Sequence, residues 1–412
     1  MKTINYILVL IFFLTTFTFA QQKVRLGNER LVNEYFHLIE GKRVGIIANH
    51  TSLLNKRKHL VDYLFESKKV KVMAAFGPEH GFRGKAPAGE KIETTIDEKT
   101  GIPVYSLYGK INKPTPEILK DIDVLIYDIQ DVGARFYTYI STLYLCLEAA
   151  AENNIDFIVC DRPNPIGGVD VDGPIVKKDF ESFVGIAPIP IQHGMTIGEL
   201  ALYFNDLIEQ KTGKKARLNV IEAEGWKRNM YFPETGLDWI NPSPNITDFW
   251  TALIYPGTCL IEATNVSEGR GTGKPFQIIG SPFINSEELI NELEKLGFKS
   301  VYFVPIQFKP VDIDGMATNP KYKGQNCNGI RIQIESTEFF HPVQFGFALI
   351  STLKKLYPND FQINTARMNR LVGDDKITEF LNNAVDYREI IKYYENELNQ
   401  FKQIRTKYLL YN

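Results

Sequence analysis

Residues 124–164 read VLIYDIQDVGARFYTYISTLYLCLEAAAENNIDFIVCDRPN, and the fold turns on how they divide. The apolar run 124–127 suits a strand covered on both faces. A helix is expected over about 139–153, with Leu143, Leu147 and Ala150 on one face. Residues 157–160 form the next strand. Strand, helix and strand in this order make a parallel βαβ unit. The same alternation runs back towards the N-terminus, with strands at 44–48, 70–76 and 104–107, a helix over 58–66 and a short helix start at 116–120. Each strand exits into polar residues: Asn49-His50-Thr51, Glu79-His80, Tyr108-Gly109, Asp128 with Gln130 and Asp131, then Asp161-Arg162. Parallel sheets bind ligands outside the carboxyl ends of their strands. Charged groups set directly against those ends therefore point to a functional crevice.

The second half is less regular. A helix is expected over 196–208, with Thr196 as its cap and Glu199 completing a capping box. Strands are expected at 218–221, 254–263, 301–308 and 330–334, and helices at 287–296, 343–356 and 387–408. The reading is an α/β chain with a parallel-sheet unit over residues 21–180, extending to about 245 on the wider boundary. A smaller mixed α/β unit with a C-terminal helix follows over 181–412.

The chain has 412 residues, 44% of them hydrophobic and 23% charged, which excludes a largely disordered chain or a multi-pass membrane protein. Lys and Arg number 47 against 49 Asp and Glu, so no global positive field exists to hold nucleic acid. Residues 1–20 combine Lys2, an apolar run over 7–14 and the small residue Ala20. That layout suits a secretory leader cleaved after Ala20, with no stable membrane insertion afterwards. Export to the periplasm or the extracellular space is the expectation. Cys146, Cys160, Cys259 and Cys327 are scattered, without metal-ligand spacing, so no metal and no cofactor is expected.

Five segments carry chemistry. In 77–84 (GPEHGFRG), Glu79 sits at a strand end among three glycines, a candidate general acid, with His80 as an alternative acid–base group and Arg83 close by. In 128–139, Asp128 and Asp131 are followed by Arg135, Tyr137 and Tyr139. Arg can grip a carboxylate in bidentate fashion, and Tyr can stack on a sugar face. One of the two carboxylates is expected to cap the following helix. Asp161-Arg162 forms the third segment, equally readable as a simple ion pair, and His193 before Gly194 at a helix entry forms the fourth. The fifth, 262–276 (EATNVSEGRGTGKPF), fails the phosphate-loop template. Glu268 replaces its first Gly, and Pro275 stands where Ser or Thr should follow Lys274. Arg270 and Lys274 could instead hold a ligand carboxylate, with Glu262 or Glu268 near the site. There is no G-x-S-x-G, H-E-x-x-H or dinucleotide glycine motif. A carboxylate-rich inventory with Arg and Tyr suits hydrolysis of a glycosidic bond.

Seven segments together resemble the NamZ-type exo-β-N-acetylmuramidases, glycoside hydrolase family 171. They are GPEHGFRG (77–84), YDIQDVGARFYTY (127–139), DRPNPIGG (161–168), VDGP (171–174), HGMTIGELA (193–201), NPSPN (241–245) and YPGTCLIEATNVSEGRGTGKPF (255–276). The resemblance implies a Rossmann-like first domain, a smaller α/β second domain and a site in the cleft between them. It implies release of terminal N-acetylmuramic acid from the non-reducing end of peptidoglycan fragments. Glu79 carries over as the catalytic candidate, because it stands in the matching GPEHG. For that substrate, Arg83, Arg135, Arg162 and Arg270 are the candidate grips on the lactyl carboxylate, Arg135 and Arg270 foremost. Asp128, Asp131 or His193 would partner the acetamido group, and Asn49, Tyr137, Asn245 and Glu268 complete the candidate binding set. Two alternatives stand beside this reading. One is a muropeptide-binding protein without activity; the other is a wall esterase or amidase using Ser106, Ser141 or Ser267.

Overall fold

The computed structural model describes residues 23–54, 57–83 and 94–412. The expected leader, residues 1–20, and Gly84 of the Gly-rich turn lie outside them. Seven strands form one sheet: β1 (Arg43–Ala48), β2 (Lys71–Gly77), β3 (Thr95–Ile96), β4 (Pro103–Ser106), β5 (Val124–Asp128), β6 (Asp156–Cys160) and β7 (Arg217–Ile221). Their order is β3-β4-β2-β1-β5-β6-β7, parallel throughout except for β3 against β4. The chain builds outward from β1 on one side, then crosses to β5 and builds the other. Strand order thus reverses beside β1, where such sheets open a binding crevice. Because β7 belongs to this sheet, its strands are drawn from residues 43–221.

The strands are apolar on both faces because both faces are covered. Leu125 and Tyr127 of β5 and Ile47 of β1 face one core. Val124, Ile126, Val44 and Ile46 alternate to the other. Helices α1 (Gly27–Asn33), α2 (Leu60–Ser67), α3 (Pro116–Leu119), α4 (Tyr139–Asn153) and α5 (Ile197–Thr212) accompany this sheet. Crossover helix α4 is buried along most of its length, and α5 carries the expected Thr196–Glu199 capping box. Neither Asp128 nor Asp131 caps α4. Its N-cap is Thr138, with no side-chain cap bond.

A second, antiparallel sheet has the order β8-β10-β9, from β8 (Ile278–Ser281), β9 (Val301–Phe308) and β10 (Cys327–Ile334). Around it pack α6 (Phe249–Thr258), α7 (Ser286–Glu294), α8 (Pro342–Leu356), α9 (Thr365–Val372), α10 (Asp375–Asn382) and α11 (Tyr387–Arg405). The strand expected over 254–263 is corrected here to the end of α6 and a 3-10 turn, Cys259–Ala263. That stretch is buried almost all round, so its hydrophobicity has no period to distinguish helix from strand. Asp248 starts α6 by accepting hydrogen bonds from Thr251 N and Oγ1. One apolar core continues from the first sheet into the second unit. After α11 the chain returns to the first sheet: Leu410 N donates to Glu199 Oε1 (2.8 Å), and the Tyr411 hydroxyl to Asp161 Oδ2 (2.6 Å). All four cysteines are buried and free. No helix among the described residues is long and apolar enough to cross a membrane.

Candidate functional site

A cavity of about 780 Å³ lies between strand-end loops of the parallel sheet and the second unit. Glu79 and His80 reach it from the end of β2, Tyr108 from β4, and residues 136–138 from the loop after β5. The turn after β2 is tight. A Cβ on Gly77 would lie 2.7 Å from Phe82 N, and Gly81 N closes onto Pro78 O at 2.9 Å. His80 takes φ +69° and Gly81 φ +78°. A buried, non-glycine residue in the left-handed region costs energy, a pattern concentrated at functional sites.

Glu79 is half-buried. Thr138 Oγ1 donates to its Oε2 at 2.7 Å, and the Tyr108 hydroxyl also hydrogen-bonds to it. Burial and the Glu79 carboxylate push the Tyr108 phenol up to about 12, so it stays protonated and donates. Tyr137 lines the cavity and packs edge-on against Tyr139 and Tyr255, with ring centroids 4.8 and 5.9 Å away. Asn245 is buried against the cavity; its Nδ2 donates to Met316 O (2.7 Å), which leaves Oδ1 without a partner among the described residues. A fixed, unpaired acceptor beside a cavity awaits an N–H or O–H donor.

The second unit contributes charge. Arg270 bridges Glu262 (2.8 Å) and Glu268 (3.5 Å). Arg367 also reaches Glu262 (2.5 Å), and Lys321 reaches Glu268 (3.1 Å). Burial works against the charges of Glu262 and Arg270. Even so, the cations Arg270 and Arg367 hold the Glu262 carboxyl below its usual range, and the two carboxylates keep Arg270 firmly protonated.

Of the residues singled out from the sequence, Glu79, His80, Tyr137, Asn245, Glu262, Glu268 and Arg270 line this cavity. Asp128, Asp131, Asn49, Arg83, Arg135, Arg162, His193, Tyr139 and Lys274 lie outside its lining. Arg135 is wholly buried, and its guanidinium donates to the carbonyls of Pro174, Ile189 and Leu371. Asp128 pairs with Arg162 at 2.6 Å inside the protein, with Asn28 as a further donor. Arg83 is held by Asp62 and Asp97. Asp131 accepts from Gly133 N, and fully buried His193 faces it at 3.4 Å while its Nδ1 accepts from Met195 N. Asn49 is buried, its Oδ1 taken by Thr51 N and Oγ1. These groups brace the strand ends beneath the cavity.

Thr138 lines the cavity from within the segment 127–139 without being singled out by the sequence, and Lys321, Arg367 and Arg370 line it without any signal in the sequence. None of the three serines lines it. Ser106 and Ser141 spend their hydroxyls on the carbonyls of Tyr108 and Phe183, and Ser267 Oγ accepts from Gly269 N. Among the described residues, no cluster of His, Cys, Asp and Glu could hold a metal ion.

Comparison with known proteins places this geometry. Residues 44–250 match the family model described as exo-beta-N-acetylmuramidase NamZ, N-terminal, and residues 253–411 match its C-terminal counterpart. The chain is 45% identical over 395 residues to the peptidoglycan beta-N-acetylmuramidase NamZ of Bacillus subtilis (strain 168), covering 96% of this chain and 93% of that one. Crystal structures of two DUF1343 family proteins from Bacteroides fragilis NCTC 9343 are similar. One has a TM-score of 0.86 at 37% identity, the other 0.77 at 33%; each comparison covers 95% of this chain and 99% of the other.

Proposed function

We propose, from the premise that the chain belongs to the NamZ exo-β-N-acetylmuramidase family, that it is a glycoside hydrolase releasing terminal N-acetylmuramic acid from the non-reducing end of peptidoglycan fragments. The observation that carries the chemistry is Glu79 at the cavity end of β2, oriented by hydroxyls from Tyr108 and Thr138.

Hydrolysis of a glycoside needs a proton on the leaving oxygen as the bond to the anomeric carbon breaks. In this reading the Glu79 carboxyl gives that proton, and water then supplies a hydroxyl to the anomeric carbon and a proton back to Glu79. The substrate acetamido oxygen can hold the anomeric centre between these steps, as in substrate-assisted glycosidases. Asn245 Oδ1 is the acceptor placed to orient an acetamido N–H or a sugar hydroxyl. Tyr137 gives an aromatic wall for the ring. Export completes the proposal, since residues 1–20 have the layout of a secretory leader and the polymer lies outside the cytoplasm.

The test is incubation of the mature chain with a disaccharide whose non-reducing sugar is N-acetylmuramic acid, with products and anomer read by NMR. Free N-acetylmuramic acid is expected, and Glu79→Gln is expected to lose about a hundredfold or more in kcat. Near-normal turnover by Glu79→Gln would remove the acid from position 79. Tight sugar binding without any product would favour the binding-protein alternative.

A further inference from the structure

Four cations from the second unit line the cavity: Arg270, Lys321, Arg367 and Arg370. Two of them are spent. Arg270 is held between Glu262 and Glu268. Lys321 Nζ donates to the carbonyls of Ile261 and Val266 and pairs with Glu268. Arg367 gives one nitrogen to Glu262, with about half of its side chain still exposed. Arg370 is exposed and makes no ion pair among the described residues.

Arg367 and Arg370 stand three apart on α9, so they share one face. Like charges at that spacing repel by a few tenths of a kcal/mol in an isolated helix. Here a single carboxylate offsets one of them. The pair therefore presents a surplus positive charge to the cavity, with guanidinium donors turned to no acceptor among the described residues at Arg370. A planar carboxylate is the ligand whose geometry matches such donors.

We infer that Arg370, with Arg367 beside it, forms the subsite that grips the lactyl carboxylate of the terminal muramic acid and so sets the preference for that sugar over N-acetylglucosamine. This rests on the glycosidase reading above and assigns to it the residues that select the sugar. The lactyl group is the chemical difference between the two sugars, and it brings the only charge on the terminal ring. Of the two grips foremost in the sequence, Arg135 is committed to three carbonyls and lies outside the cavity lining, and Arg270 is held between Glu262 and Glu268.

The experiment compares two aryl β-glycosides of N-acetylmuramic acid, one with the free lactyl acid and one with its N-methylamide. Wild type, Arg370→Gln, Arg370→Lys and Arg367→Gln are assayed on both. The acid-to-amide ratio of kcat/KM is expected to fall about tenfold in Arg370→Gln, the scale of one charge-assisted contact, with partial recovery in Arg370→Lys and a smaller fall in Arg367→Gln. An unchanged ratio in Arg370→Gln overturns the assignment. Calorimetric binding of free N-acetylmuramic acid is measured in parallel, because it needs no turnover. Binding to wild type that is weakened about tenfold in Arg370→Gln supports the subsite even if wild type hydrolyses neither glycoside, an outcome that would sink the glycosidase reading alone. Equal binding to both proteins overturns the subsite whatever the activity.

Discussion

Thr138 Oγ1 donates to Glu79 Oε2 at 2.7 Å, so the N-cap residue of crossover helix α4 fixes the carboxylate at the end of β2. Tyr108, at the exit of β4, donates to the same carboxylate. Three strand-end loops thus converge on one group, and two hydroxyls limit its rotation. An acid that must meet a glycosidic oxygen gains from being held in one place before the substrate arrives.

Removal of either hydroxyl is expected to lower kcat by about tenfold with little change in KM, because the donors position Glu79 rather than hold the sugar. Tyr108→Phe and Thr138→Val test this by steady-state kinetics on a muramyl glycoside. A rise in KM at constant kcat would make them part of the sugar-binding wall instead.

Arg270 lies between two carboxylates, and removing it leaves both with fewer partners in a buried setting. Arg270→Met is expected to destabilise by about 3–5 kcal/mol, the scale for breaking a buried pair from one side. Adding Glu262→Gln should recover part of that loss, since the second change removes a stranded charge. Urea denaturation of the single and double variants measures both. Equal stability of Arg270→Met and wild type would show that solvent already screens the network.

The sequence carried Glu79 because the residues that shape its turn are contiguous with it: Gly77, Gly81 and the end of an apolar strand all lie within five positions. It carried Arg270 for the same local reason. Arg367 and Arg370 gave no such signal. They stand on an ordinary amphipathic helix about a hundred residues further on, and packing of α9 against the 3-10 turn Cys259–Ala263 brings them to the cavity. The charged groups that lie away from the cavity have an equally physical cause. Asp128, Arg135 and Arg162 are the right residue types at strand ends, but a sheet covered on both faces also needs charged groups to tie its loops together. Composition alone does not separate a brace from a ligand grip; burial does. Most strands and helices were legible through their periodicity. The end of α6 was not, because it is apolar on every side.

Gly257 on α6 meets α8 so closely that a Cβ would lie 1.9 Å from the Pro342 carbonyl oxygen and 2.8 Å from its carbon. These are backbone atoms of a packed helix start and cannot swing aside. Gly257→Ala is therefore expected to cost at least about 3 kcal/mol, the upper range for overpacking. Gly273, in the Gly-rich loop, has nothing within 4 Å of a built Cβ and no left-handed φ, so Gly273→Ala is expected to be within about 0.5 kcal/mol of wild type. Thermal denaturation of the two variants side by side separates the steric role from the conformational one. Similar midpoints would mean that α6 and α8 can move apart.

Asp161, at the end of β6, is fully buried and accepts from the Tyr411 hydroxyl, Thr196 Oγ1, Gly198 N and Arg162 N. Burial pushes its carboxyl up to about 6, against Tyr411, Gly198 and Thr196, which pull it down. An acid with a raised folded pKa binds more protons folded than unfolded between its two values. Stability from this group is therefore fully present below about pH 4, falls as pH rises to about 6, and is level above that. Linkage makes the contribution on the order of 3 kcal/mol. Asp62 and Asp97 act in the opposite sense: burial raises them, but Arg83 holds both below their usual range, so their contribution is lost only at more acid pH. Asp172 is raised by its burial as well, whereas burial lowers His50 and His59, which adds stability as pH rises towards their usual value, so the slope from about pH 4 to 6 is a sum from which the difference between wild type and Asp161→Asn isolates Asp161. The stability difference between wild type and Asp161→Asn, from urea denaturation, is expected to shift against wild type as pH rises across that interval and to be level above it, whatever the absolute level. If that difference does not change between about pH 4 and 6, the Asp161 carboxylate is already ionised at pH 4, and its four donors outweigh its burial.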